Sequence, residues 1–322
     1  MRSSVARAVL VGMSMFLALP LLEGALWATG QYAPPSMDPG TQDIYEFDPT
    51  VGYRLRPLLK TEQRYPADSP EVIPIVANSD GFRGRREFGQ ADDRFRVLVV
   101  GDSFVFGQGV REDDRLTEQM ERLEPRWRVD NMGMTGWGPD LMVRAIERYG
   151  GKIRPEVVVL AIYTDDFRRL VPYYAGVGYR YPKFELAGSE LVDVPFPPQT
   201  IWDRLRLVQW QRQMTWNDPA VRNRYDLNEA LLERYLHDAS AMRFAPMVAF
   251  FPGTGDNAED QARRGFLLTW ATRRKVPYVD LTETMQGAGI DTVFIPKNWH
   301  WNRAGHRLAA EQLVKLVASR PQ

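Results

Sequence analysis

The pattern of apolar and polar positions divides the chain into three textures. At the N-terminus Arg2 and Arg7 precede an uncharged, mostly apolar stretch from Ala8 to Leu22, the basic flank and apolar segment of an export sequence. As a helix this stretch reaches about 22 Å, short of the ~30 Å hydrocarbon core of a bilayer. Continuing to Ala28 extends it to about 31 Å and sets Glu23 near one interface, where a carboxylate is tolerable. Ala28-Thr29-Gly30 offers small residues for cleavage. Residues 1–30 are therefore expected to form a signal sequence or, by the longer reach, a retained membrane anchor. The basic flank then stays in the cytoplasm and the bulk of the chain is exported to the cell envelope or periplasm.

Between residues 31 and 95 the chain carries Pro34, Pro35, Pro39, Pro49, Pro57, Pro66, Pro70 and Pro74, too many for long helices. An extended arm lying over the main domain is expected, with Asn78-Ser79-Asp80-Gly81-Phe82-Arg83-Gly84 as a tight turn that pins it. From Arg96 onward short apolar runs alternate with amphipathic segments, the rhythm of a parallel sheet with crossover helices. Strands are expected at Arg96–Val100, more weakly at Arg128–Asp130, and at Val157–Ile162, Pro246–Phe251 and Val276–Leu281. Helices are expected at Arg115–Leu123, Asp140–Arg148, Asp260–Arg274 and Arg303–Ser319, the last with Leu308, Leu313 and Leu316 facing inward. The fold class is α/β, a doubly wound sheet of about five strands spanning 96–322. An insertion over about 168–242 is rich in proline and aromatics: Pro172, Tyr173, Tyr174, Tyr179, Tyr181, Pro182, Phe184, Pro195, Phe196, Pro197 and Pro198 precede helical stretches near 201–216 and 226–237. Such insertions cap sites at strand ends, and Trp202, Trp210 and Trp216 are expected to form the cap's own small core.

Composition narrows the chemistry. The 322 residues carry 41 basic and 41 acidic side chains, so no overall field recruits nucleic acid. Without cysteine, thiol catalysis and thiolate metal sites are excluded. No pair of histidines stands with carboxylates at metal spacing, and neither a metal nor a cofactor is expected. Only His237, His300 and His306 can serve as an imidazole base. His237 reads as structural, His306 as a packing residue at the start of the last helix, and Gly107-Gln108-Gly109 as a turn that lacks the lysine of a phosphate loop.

Ligands of open α/β sheets bind at the carboxyl ends of the strands. The first strand ends in Gly101-Asp102-Ser103-Phe104, which holds a hydroxyl at the sheet rim. The second ends in Asn131-Met132-Gly133-Met134-Thr135-Gly136-Trp137-Gly138, whose glycines let backbone N–H groups approach a substrate. The third ends in Tyr163-Thr164-Asp165-Asp166-Phe167, and the last helix is preceded by Asn298-Trp299-His300-Trp301-Asn302. In this order they supply a nucleophile, oxyanion donors and a base, the ingredients of acyl transfer.

These four blocks resemble the SGNH (GDSL-like) hydrolases, over about Arg96 to Ser319. The Asn78–Gly84 arm followed by Val-Gly-Asp-Ser-Phe is similar to exported, anchored bacterial members. The resemblance implies a flavodoxin-like three-layer α/β/α fold, Ser103 as nucleophile, the N–H groups of Ser103 and Gly136 as oxyanion donors, and His300 as general base. Asp102 and Asn131 fall in the same blocks and are expected at the substrate side.

Two positions depart from the family pattern. Asp165 stands where an asparagine amide normally helps bind the oxyanion, and would have to be protonated to do so. Asn298 stands where an aspartate normally orients the histidine. An asparagine carbonyl oxygen can hold an imidazole tautomer, as in Cys-His-Asn sites, although exchanging Asp for Asn in a serine triad has cost about 10⁴ in turnover. The expected activity is that of a serine esterase or O-acyltransferase on an ester-bearing envelope glycan or lipid. The competing reading is a weak or non-catalytic domain of the same fold that binds polysaccharide or a partner protein.

Overall fold

The computed structural model describes residues 14, 17–33, 44–170, 182–194, 200–218, 221 and 223–320. Residues 1–13 of the expected export segment lie outside the described residues, as do Pro34, Pro35 and Pro39 of the arm. So do Pro172, Tyr173, Tyr174, Tyr179, Tyr181, Pro195, Phe196, Pro197 and Pro198 of the insertion. Among the described residues no helix is long and apolar enough to cross a membrane.

The arm folds as two antiparallel hairpins, β1 (Tyr45–Asp48) with β2 (Gly52–Leu55) and β3 (Lys60–Gln63) with β4 (Ile73–Val76). It is more than a cover. Val51, Tyr53, Leu55, Ile73, Ile75, Phe82 and Phe88 are buried in the same apolar cluster as Leu98, Val100 and Trp137. The Asn78–Gly84 turn does pin the arm: Asn78 Oδ1 accepts the Asp80 and Phe82 N–H groups, and buried Arg83 donates to the carbonyls of Phe106, Gly107 and Val110.

The main sheet comprises β5 (Phe95–Gly101), β6 (Trp127–Gly133), β7 (Val157–Tyr163), β10 (Ala245–Phe251) and β11 (Tyr278–Asp280). All neighbours are parallel, in the order β6-β5-β7-β10-β11. Numbered along the sheet that order is 2-1-3-4-5, the flavodoxin-like winding, whose switch point lies between its first and third strands. The two-residue period of each strand feeds two cores. Leu98, Val100, Val158, Leu160, Val248 and Phe250 pack beneath helices Pro139–Ile153, Tyr225–Met242 and Ala258–Arg274. Val97, Val99, Val157, Val159, Met247 and Ala249 pack beneath Leu116–Leu123 and Arg303–Ala318. The chain is thus a three-layer α/β/α structure.

Helix Tyr225–Met242, which falls in the expected cap segment, belongs to the helical layer. The buried Tyr235 hydroxyl donates to the Val158 carbonyl at 2.7 Å and accepts the Met247 N–H at 3.0 Å, tying the helix to β7 and β10. The rest of the described segment is a hairpin of β8 (Lys183–Ala187) and β9 (Glu190–Val194), whose Phe184 packs on Leu227 and Leu231, followed by a 3₁₀ turn Ile201–Arg204 and helix Arg206–Trp216. The expected small core of tryptophans does not form there. Trp202 is 66% and Trp210 40% exposed, while the side chain of Trp216 lies outside the description.

One close approach fixes the short helix Ser103–Phe106. A Cβ on Gly133 would stand 2.1 Å from Phe106 N and 2.5 Å from Val105 C, both backbone atoms with no room to give. Gly133→Ala is therefore expected to destabilise the fold by about 1–3 kcal/mol through overpacking, read as a lowered thermal unfolding midpoint. An unchanged midpoint would mean that the short helix is not held against β6.

Candidate active site

Ser103 opens a one-turn helix, Ser103–Phe106, directly after β5. Asp102 caps that helix: its Oδ1 accepts the Phe104 N–H at 2.9 Å. His300 arrives from the other end of the chain on a tight loop. Phe294 pairs with Trp301, and the Ile295 N–H donates to the His300 carbonyl at 2.9 Å. Lys297 takes a left-handed φ of 57° at the tip of this loop, which turns Asn298 back toward the ring. Asn302 then caps the final helix by accepting from Ala304 and Gly305.

The result is a chain of contacts across 197 positions of sequence. Ser103 Oγ lies 2.8 Å from His300 Nε2, and His300 Nδ1 lies 3.0 Å from Asn298 Oδ1. The tautomer follows from the backbone. Asn298 Oδ1 also accepts the His300 backbone N–H at 3.0 Å, so that atom must be the carbonyl oxygen, and Nδ1 must carry the ring proton. Nε2 is left with its lone pair toward Ser103. The Ser103 hydroxyl has one proton and a second acceptor, Asp102 Oδ2 at 3.1 Å. The imidazole contact is the shorter, and Asp102 Oδ2 is already engaged by Arg169 at 2.9 Å.

Burial lowers the imidazole's affinity for a proton. His300 is 5% exposed, packed between Phe104, Tyr65 and Trp299. Desolvation, with a further push from Arg169 and an opposing pull from Asp102, lowers its pKa to about 4. Among the described residues no carboxylate touches Nδ1, whose partners are Asn298 and Tyr65. Nearby, the Arg169 guanidinium also donates to Asp166 Oδ1 at 2.5 Å and to the Trp137 carbonyl at 3.1 Å. Burial first, and then the Asp102 charge, push the Asp166 carboxyl well above the usual carboxylate range.

The loop expected to supply oxyanion donors is held in place by hydrogen bonds to its backbone carbonyls and N–H groups. The loop after β6 hangs from β5 by the Met134 N–H on the Gly101 carbonyl at 3.1 Å. It is braced by Tyr53 Oη on the Thr135 carbonyl, by Thr135 Oγ1 on Gln108, and by Arg169 on the Trp137 carbonyl. Gly136 has a φ of 81° in this loop, a conformation that suits glycine. Neither its N–H nor that of Ser103 makes a hydrogen bond to another described residue, so both are free to donate to a ligand.

Of the residues expected at the site, Ser103, His300 and Asn298 come together, and three others serve different ends. Asp165 does not offer a donor to an oxyanion. Both its oxygens are taken up as acceptors, from Arg263 at 2.9 Å and from Arg168 at 2.6 Å. Asn131 lies inside β6 rather than in the loop: its amide donates to the Val105 carbonyl and Thr117 and accepts the Gly133 N–H. It braces the helix that begins at Ser103, and both of its N–H donors are spent within the protein. Asp102 is wholly buried between the helix start and Arg169, so it positions Ser103 instead of meeting a ligand. His306 is buried against Trp301, and His237 is exposed on Tyr225–Met242.

Sequence reasoning missed Tyr65 and Arg169. Tyr65 Oη lies 2.9 Å from His300 Nδ1, where it takes a share of the proton held by Asn298. Tyr65→Phe is expected to lower kcat/KM about fivefold, the worth of one net hydrogen bond of ~1 kcal/mol, with Asn298 still holding the tautomer. A loss as large as that from removing His300 would contradict this secondary role.

No family model matches the chain, and no curated protein matches it. Solved structures do. An acetyl xylan esterase is similar over 69% of this chain and all of its own, at 13% identity and a TM-score of 0.46. A lipase/acylhydrolase from Enterococcus faecalis is similar over 71% of this chain and 98% of its own, at 12% identity and 0.46. A member of the lipolytic protein G-D-S-L family from Veillonella parvula is similar over 70% of this chain and all of its own, at 14% identity and 0.44. At such scores likeness carries no chemistry across, and the geometry around Ser103 has to do so.

Proposed function

We propose that the chain is a serine-dependent ester hydrolase of the SGNH type, acting on acyl esters of an envelope glycan or lipid. The observation that supports this most is the Ser103 Oγ to His300 Nε2 contact of 2.8 Å, with Nδ1–H held on Asn298 Oδ1. Ser103 Oγ bonds to the acyl carbon while its proton passes to Nε2. The oxyanion that forms is met by the N–H groups of Ser103 and Gly136. Collapse breaks the ester C–O bond, and the leaving alkoxide takes the proton from Nε2, leaving an acyl-serine and a neutral imidazole. Water, or an acceptor hydroxyl in the transferase variant of the reaction, then gives its proton to Nε2 and attacks the acyl carbon. Expulsion of Ser103 Oγ, reprotonated from Nε2, completes the cycle.

The neutral Asn298 and the low pKa of His300 make the base weak, so slow turnover is expected. Under this proposal the chain is exported and remains at the membrane by its N-terminal helix. The test uses the full chain in detergent with p-nitrophenyl acetate and an O-acetylated oligosaccharide, followed by mass spectrometry of the products. Serine-dependent loss of acetyl supports the proposal, and its appearance on an added sugar acceptor would identify transfer. A folded chain that removes acetyl no faster than its Ser103→Ala variant would contradict both.

A further inference from the structure

The N-terminal helix, residues 17–28, is apolar nearly all round, yet it is scarcely covered. Leu17, Leu19, Leu21, Leu22 and Trp27 are 44–74% exposed, and among residues 21–28 only Glu23 and Leu26 are half-buried. A helix apolar on every side needs protein or lipid around it. Here the protein supplies one polar fastening. The Glu23 carboxylate accepts the backbone N–H groups of Arg206 and Leu207 at 2.8 and 2.9 Å, and the Arg206 side chain donates to the Gln31 carbonyl.

Glu23 thus sits on the first turn of helix Arg206–Trp216, where the N–H groups and the helix dipole favour a negative charge. That partnership relieves the cost of a carboxylate within an apolar helix. It also fixes where the 200–216 region stands: beside the N-terminal helix, at the level of Glu23. This region carries its own uncovered apolar side chains. Ile201 is 73%, Trp202 66%, Trp210 40% and Met214 48% exposed, with Trp210 and Met214 one helical turn apart and exposed Arg204 in the same turn as Ile201 and Trp202. Tryptophan with flanking arginine on a short surface helix is the composition of a membrane–water interface.

We infer that residues 201–214 rest in the interfacial layer of a phospholipid bilayer, continuous with the N-terminal helix embedded there. The bilayer would then cover both apolar surfaces at once, and Glu23 would act as the hinge pin between them. The domain would be held at two points in a fixed attitude to the membrane rather than swinging from a single tether. This seating does not depend on the chemistry proposed for Ser103.

The chain has no cysteine, so single labels can be placed cleanly. Full-length Trp202→Cys, Trp210→Cys and, as a reference, Arg126→Cys, whose side chain is 83% exposed, would each carry an environment-sensitive nitrobenzoxadiazole dye. They would be reconstituted in phosphatidylcholine–phosphatidylglycerol vesicles with and without doxyl-labelled lipid. The expected result is blue-shifted emission at 202 and 210, with doxyl quenching several-fold greater than at 126. Emission at 202 and 210 matching that at 126 would overturn the inference. So would a blue shift without doxyl quenching, which would mean that protein, such as a second copy of the chain, covers these side chains.

Discussion

Asn298→Asp is expected to raise kcat/KM toward an acetyl ester by about 10²–10⁴, the reverse of the loss seen when a triad aspartate becomes asparagine. Aspartate is isosteric with the residue it replaces, and its oxygen can keep both contacts that Asn298 Oδ1 makes, with His300 Nδ1 and the His300 backbone N–H. What changes is charge. A carboxylate 3 Å from Nδ1 stabilises the imidazolium that forms as Ser103 attacks, where the amide offers only a dipole. The pH profile carries the sign. In the native chain the base is neutral above a pKa of about 4, so kcat/KM should be level through neutral pH and fall only as pH approaches 4. An added anion raises that pKa, so the acid limb should move upward in Asn298→Asp along with the gain in rate. If neither the limb nor the rate moves, Asn298 does not act on the base.

His300→Ala is expected to lower kcat/KM by about 10²–10³, less than a complete triad would lose. Removing the histidine of a full serine triad costs on the order of 10⁶, and the parts act as a unit. If the neutral Asn298 already forgoes up to ~10⁴ of that, the remainder is what His300 still contributes. Ser103→Ala should match it, and the double variant should be no worse than either single one. Additive losses would mean that the two residues do not work through the shared 2.8 Å contact. Because His300 is buried, circular dichroism should accompany each rate, and His300→Gln, closer in volume, provides a second variant should alanine unfold the loop.

Much of the frame was legible in the sequence because parallel strands buried on both faces announce themselves as apolar runs. Phe95–Gly101, Val157–Tyr163 and Ala245–Phe251 fall within a residue or so of the runs that predicted them. β6 was harder: the sequence predicts only a weak strand at Arg128–Asp130 with Asn131 in the loop beyond, whereas the strand runs Trp127–Gly133, its polar residues buried because Arg128 pairs with Asp130 and Asn131 braces Val105 and Thr117. Buried polar residues with partners are indistinguishable from loop residues until the partners are known. Tyr65 was invisible for a similar reason: it lies in a proline-rich stretch and meets His300 across 235 positions. Arg169 stands near the start of the 168–242 insertion with no motif to mark it, and joins Asp102, Asp166 and the Trp137 carbonyl. Trp202 and Trp210 were misjudged because helical spacing shows that side chains share a face and leaves open what that face meets.

The proposed chemistry requires the Ser103 hydroxyl to be activated by the imidazole 2.8 Å away, and one measurement addresses that directly. The full chain in detergent would be treated with a small fluorophosphonate and its intact mass and peptides determined. One phosphonyl adduct on Ser103, absent from Ser103→Ala and slowed in His300→Ala, is the predicted result. A well-folded chain that stays unlabelled, or one labelled equally well without His300, would contradict it.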